Sequence, residues 1–151
     1  MALDATDAKI IRILQENGRI SMQRLSEKIN MSSPAATERV KKLEEAGIIT
    51  GYTAVVDPEK LGLHTHAYVL LNSIPEAQKQ RLEHYIGQTQ EIVGTYYGMT
   101  GGLDLILEVY CVNNNRLAAI QSEIAKMVNT VTYLLTNQPG KRAPVVLPEE
   151  K

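Results

Sequence analysis

The residues whose types and spacing could do chemistry cluster in one stretch, Ser33-Pro34-Ala35-Ala36-Thr37-Glu38-Arg39-Val40-Lys41-Lys42-Leu43. At about 100° per residue, Ala36, Val40 and Leu43 form an apolar stripe, and Ala35, Glu38, Lys42 and Glu45 point away from it. Arg39 and Lys41 sit on the shoulders. The leading turn is small (Ser33, Pro34, Ala35) and the later turns are basic. A helix that enters a major groove needs a slim end near the base edges and cations near the phosphates. On that chemistry Ala35 would touch a thymine methyl and Glu38 would accept from a cytosine amine. Ser33, Arg39, Lys41 and Lys42 complete the candidate DNA-contacting set. The competing reading is a helical hairpin with a solvated charged face, which is common on surface helices. Glu38 also suits a helix N-terminus for electrostatic reasons, and Arg39 equally suits an intramolecular ion pair.

Positioning such a helix takes a scaffold, and the preceding residues spell one out. Asp4 is a cap for a helix over Ala5–Glu16, with Asp7 in the first turn and Ile10, Ile11 and Leu14 on the inner face. Asn17-Gly18 stops it. Ser21 caps a second helix with Met22, Leu25 and Ile29 as its buried stripe, and Asn30 suits the left-handed residue that ends it. Ser33 is expected to cap the third helix, with Pro34 at its first position, and Gly47 to end it. Residues 1–50 therefore read as three helices, the last two with helix-turn-helix proportions. Ile48–Val56 is rich in β-branched residues and is expected to be a strand acting as a stiff connector. Asp57-Pro58 opens a turn that Leu61-Gly62-Leu63 closes, so residues 51–64 form the linker.

Beyond His64 the pattern changes. Strands are expected at Thr65–Leu71, Ile92–Met99, Leu103–Val112 and Val128–Thr136, and helices at Pro75–Ile86 and Asn115–Met127. That β-α-β-β-α-β order over residues 65–137 is ferredoxin-like, which makes the chain α+β. Such a sheet carries helices on one face only, yet Thr65–Leu71 and Leu103–Val112 are apolar on both faces. A second apolar face implies a partner, most simply the same face of another copy, hence a homodimer. Two copies of a reading head, rigidly spaced, would contact successive half-sites about one turn of DNA apart. Residues 138–151 are left as a tail.

Composition narrows the function classes. The formal net charge is −1, and residues 1–50 hold eight Lys and Arg against seven Asp and Glu, so nucleic-acid affinity must come from local placement and from several copies. Cys111 is the single cysteine, which excludes a disulfide framework or a cysteine-based zinc site within one chain. No metal site or cofactor is expected. Nothing at the N-terminus resembles a signal peptide and no apolar run reaches the ~20 residues of a membrane span, so a cytoplasmic protein without membrane contact is expected. His64 and His66 would share one strand face, a candidate metal or propionate site set against two plain surface histidines. There are no paired catalytic carboxylates, no His-x-x-x-His and no phosphate-cradling loop.

Several stretches together resemble one family. They are Leu3-Asp4-Ala5-Thr6-Asp7, Asn17-Gly18-Arg19-Ile20-Ser21, Met31-Ser32-Ser33-Pro34, Glu38–Glu44, Gly47–Tyr52 and Gly101-Gly102-Leu103-Asp104. In order and spacing, up to about Thr136, the chain is similar to the Lrp/AsnC (leucine-responsive and asparagine-responsive, feast/famine) transcriptional regulators. The resemblance implies a helix-turn-helix domain followed by a ferredoxin-like ligand-sensing (RAM) domain. It implies dimers that often assemble into octamers or other higher forms, double-stranded DNA as a partner, and a free amino acid as effector at the interface between dimers. Carried over, the effector site would involve Gly98, Thr100, Gly101, Gly102, Asp104, Thr132, Tyr133 and Leu134. A zwitterion needs an acceptor for its ammonium, such as Asp104, and donors for its carboxylate, such as glycine-turn amides or a threonine hydroxyl. A hairpin turn alone would equally account for Gly101-Gly102. The chain departs from the family in having Gly102 where a polar residue is common and Leu103 where an aromatic is common. Two other classes stay open on sequence: an enzyme resembling the siroheme decarboxylases, which share this architecture, and a ligand-binding module without DNA activity.

Overall fold

The computed structural model describes residues 2–98, 103–135 and 144–145. It divides into a unit over Met1–Val55, with which residues 144–145 group, and a unit over Val56–Pro139. The division falls inside the connector expected at residues 51–64.

The first unit is three helices, α1 (Ala5–Glu16), α2 (Met22–Ile29) and α3 (Ser33–Glu45). Asp4 and Asp7 form a reciprocal capping box at the start of α1, each carboxylate accepting the other residue's amide, at 2.8 and 3.1 Å. Ser21 caps α2 by accepting from the Arg24 amide, and Asn30 ends it in the left-handed conformation at φ 56°. The cap of α3 is Ser32, not Ser33: its hydroxyl accepts from the Ala35 amide, which places Ser33 and Pro34 inside the first turn. Two adjacent hydroxyls satisfy the same sequence rule, and only the backbone turn after Asn30 decides between them. Ile10, Leu14, Leu25, Ile29, Ala36, Val40 and Leu43 make one buried core. Residue 47 takes φ 68°, the left-handed step that glycine makes without strain at a helix end.

Ile48–Val56 is not a strand. No residue there pairs with another strand among those described, and Tyr52, Val55 and Val56 are exposed. β-branched residues favour extended backbone, but a strand also needs an edge to bond to, and within the described chain this segment has none. A one-turn 3-10 helix, Glu59–Leu61, follows.

The second unit holds strands β1 (Thr65–Asn72), β2 (Ile92–Tyr97), β3 (Leu103–Cys111) and β4 (Asn129–Leu135), with helices α4 (Glu76–Gln88) and α5 (Asn114–Ala125). The sheet is antiparallel in the order β2-β3-β1-β4, as the ferredoxin-like pattern requires. The core between helices and sheet is formed by Ala67, Val69 and Leu71 of β1, Leu105, Leu107, Val109 and Cys111 of β3, and Leu82, Leu117, Ile120 and Ile124 of the helices. Period-two alternation sends the intervening residues to the other face.

Candidate nucleic-acid interface

The exposed side of α3 is formed by Pro34, Thr37, Glu38, Lys41, Lys42 and Glu45. Ser33 and Ala35 are half-buried at the leading turn. Lys42 lies 3.6 Å from Glu38 and Lys41 3.5 Å from Glu45, one turn apart in each case. All four side chains are exposed, so these pairs are loose and a stronger anion would displace them. Thr37 was missed by motif reasoning, although its place three residues after Pro34 and four before Lys41 puts it on the same side. Its hydroxyl donates to the Ser33 carbonyl at 2.9 Å, which leaves the oxygen able to accept.

Arg39 does not join the outward cations. Its Nη1 donates to Asp4 Oδ2 at 2.8 Å and to Asp7 Oδ1 at 2.7 Å, tying α3 to the start of α1. The Asp7 amide and the Arg39 guanidinium together hold the Asp4 carboxyl below its ordinary value. On the other flank, Tyr52 donates its hydroxyl to Glu44 Oε1 at 2.9 Å, and a side chain at residue 18 would meet its ring. Although the residue as a whole is exposed, partial desolvation of its hydroxyl end and the Glu44 carboxylate beside it push the Tyr52 phenol up to about 12.

The effector residues expected from the sequence divide between two faces. Thr100, Gly101 and Gly102 lie outside the described residues. Gly98 donates its amide to the Asp104 carbonyl at 3.0 Å, and any Cβ there would overlap the Leu103 carbonyl. Asp104 Oδ2 accepts from the Ile74 amide at 2.5 Å, so one carboxylate oxygen is engaged across the end of β1. Thr132 stands opposite Val69 on the helix side and accepts from Gln121 Nε2 at 2.6 Å. Tyr133, opposite Tyr68, points to the other face, and Leu134, opposite Ala67, returns to the helix side while staying exposed. Thr132, Tyr133 and Leu134 therefore do not form one side-chain cluster.

The sheet face without helices is apolar, as the sequence suggested. Tyr68, Leu70, Tyr96, Ile106, Tyr133 and Leu135 line an open trough of about 470 Å³ on it. Two of its polar groups meet on one carboxylate: His66 Nε2 lies 3.0 Å from Glu108 Oε1, and Tyr96 donates to Glu108 Oε2 at 2.9 Å. The His66 ring stacks on Tyr110 with centroids 4.0 Å apart. His64 is exposed one residue before β1, and His66 is engaged by Glu108 and Tyr110. Among the described residues no group of three His, Cys, Asp or Glu side chains is placed to hold a metal ion, and no helix is long and apolar enough to cross a membrane.

Residues 3–50 match the winged helix-turn-helix DNA-binding family. The chain is 36% identical over 141 residues to the HTH-type transcriptional regulator LrpC of Bacillus subtilis, covering 91% of this chain and 94% of that one. The solved structure of LrpC superposes with a TM-score of 0.84 over 94% of this chain and 100% of that one. The leucine-responsive regulatory protein of Rhizobium meliloti is 34% identical over 149 residues, covering 93% of each chain. A transcriptional regulator of Neisseria meningitidis, determined as an L-Met complex, shares the fold with a TM-score of 0.84 at 24% identity, over 95% of this chain and 96% of that one.

Proposed function

The chain belongs to the Lrp/AsnC family of helix-turn-helix DNA-binding transcriptional regulators, and on that premise we propose that it acts as a homo-oligomer that reads double-stranded DNA through α3 and answers to a free amino acid. The observation that carries the oligomer is the uncovered sheet face. Leu70, Ile106, Tyr133 and Leu135 leave it apolar, and Glu108 takes up the polar groups of His66 and Tyr96. Because His66, Tyr96 and Glu108 already satisfy one another, a second copy can cover that part of the face without stranding them. Two α3 helices held by one such dimer gain effective concentration on neighbouring half-sites, which offsets the near-neutral charge of each head.

For DNA contacts the reading assigns Ser33, Ala35, Thr37 and Glu38 to the base edges and Lys41 and Lys42 to phosphates. For the effector it assigns the region around Gly98, Thr100, Gly101, Gly102 and Asp104, with β4 contributing either Thr132 and Leu134 from its helix side or Tyr133 from the other, in a neighbouring copy or in the same one. Asp104 keeps one oxygen for an ammonium group beyond its bond to Ile74. The shared fold with the L-Met-bound Neisseria regulator supports an amino-acid ligand, and Gly102 and Leu103 would alter which side chain is accepted.

No catalytic role is assigned. His66 is engaged by Glu108 and stacked on Tyr110, and His64 lies off the strand. The reading needs no cofactor and places the protein with the DNA, in the cytoplasm. The test is light scattering at micromolar concentration, followed by addition of each amino acid separately. A dimeric or larger mass that shifts with one amino acid is expected. A monomer would overturn the oligomer, and a mass indifferent to every amino acid would leave the regulator without this class of effector.

A further inference from the structure

We infer that Arg39 is a positioning residue for DNA binding, which sets the angle of the reading helix through Asp4 and Asp7 and makes no phosphate contact. The inference rests on the assignment of α3 as the DNA-reading helix. Its basis is how completely the two carboxylates are used. Asp4 accepts the Asp7 amide on Oδ1 and the Arg39 Nη1 on Oδ2. Asp7 accepts the Asp4 amide on Oδ2 and the same Nη1 on Oδ1. All four oxygens are assigned, two to capping the start of α1 and two to holding α3.

The geometry favours orientation over simple adhesion. Apolar packing of Ile10 and Leu14 against Ala36, Val40 and Leu43 is non-directional and tolerates rotation of α3 about its axis. A hydrogen-bonded ion pair does not. The pair lies on the flank of α3 next to α1, so a small turn of the helix changes where Glu38, Lys41 and Lys42 meet a groove. The Asp7 side chain is only 6% exposed, so withdrawing Arg39 leaves a buried carboxylate without its counter-charge. Both bonds use Nη1, so a guanidinium that swung away from the carboxylates to reach a phosphate would incur that cost.

The experiment uses the full chain with two labelled duplexes, one from directly upstream of its own gene and one unrelated, titrated at several salt concentrations. Arg39→Gln, Arg39→Lys and Asp4→Asn are compared with the unaltered protein. Asp4→Asn keeps the cap acceptor on an exposed residue while removing the charge that faces Arg39. Thermal unfolding of each variant confirms that the helices are formed. The expected result is that Arg39→Gln and Asp4→Asn both lose preference for the upstream duplex, the former by tenfold or more. The slope of log affinity against log salt stays unchanged, and Arg39→Lys recovers part of the preference. A slope reduced by about 0.9 in Arg39→Gln, with Asp4→Asn unaffected, identifies a phosphate contact and overturns the inference. So does unchanged preference in both variants, or an Arg39→Gln chain that no longer folds while Asp4→Asn binds as before. Failure of the unaltered protein to prefer the upstream duplex would instead remove the DNA-reading assignment itself, and the inference with it.

Discussion

His66 and Glu108 meet diagonally across the β1–β3 pairing, Nε2 to Oε1 at 3.0 Å, although His66 stands opposite Tyr110 and Glu108 opposite Tyr68. The diagonal contact places a charged group in the middle of an apolar sheet face and satisfies it there, with Tyr96 on the second oxygen. Glu108→Ala would leave the imidazole and the phenol without that partner on a surface assigned to a second copy. We expect the dimer dissociation constant to rise at least tenfold, about 1.4 kcal/mol or more. Sedimentation equilibrium measures it. An unchanged constant would mean that this face is not buried between copies.

Lys42 is exposed and only loosely paired with Glu38 at 3.6 Å. Lys42→Ala should weaken binding to every duplex alike and lower the salt slope by about 0.9 for each cation lost. Anisotropy titrations at several salt concentrations give the slope. An unaltered slope takes Lys42 off the list of phosphate contacts. The contrast with Arg39 is informative, because both residues are cations on one helix and only their partners distinguish them.

Gly98 is held where a Cβ would strike the Leu103 carbonyl, on the hydrogen-bonded end of the β2–β3 hairpin. Gly98→Ala forces backbone apart, at a cost of about 1–3 kcal/mol. A drop of several degrees in Tm by calorimetry is expected. Unchanged melting would show that the hairpin end yields freely and that glycine is not required there.

Glu91 accepts from Arg116 Nε at 2.6 Å, and that hydrogen bond holds its carboxyl below the ordinary 4.5. A carboxyl depressed in the folded state contributes stability above its unfolded value, and that contribution disappears as pH falls through the folded one. The unaltered protein should therefore lose more Tm than Glu91→Gln between about pH 5 and about pH 3. Parallel curves would mean that the Glu91–Arg116 pair contributes nothing to folding.

Local signals were legible in the residue order, and long-range ones were not. The bounds of α1, the Ser21 cap, the left-handed Asn30 and the β-α-β-β-α-β order all follow from periodicity and capping chemistry within a few residues. The partners of Arg39 lie 35 and 32 residues away, and Asp104 reaches Ile74 across 30. No pattern of spacing encodes those encounters; the fold has to create them. The 48–56 segment failed for a related reason, since strand propensity names a willing backbone but not the edge it would bond to. On β4, Thr132 and Tyr133 are neighbours in sequence and opposites in space, which a residue-by-residue carry-over cannot register.

The central claim is that α3 reads a particular DNA sequence, and the most direct measurement is fluorescence anisotropy at one fixed salt concentration. The duplex from directly upstream of the gene is titrated beside an unrelated duplex of equal length, with and without a pool of free amino acids. The account predicts tighter binding to the upstream duplex and a change in that preference when the pool is present. Equal, weak binding to both duplexes, unaltered by the pool, would contradict it.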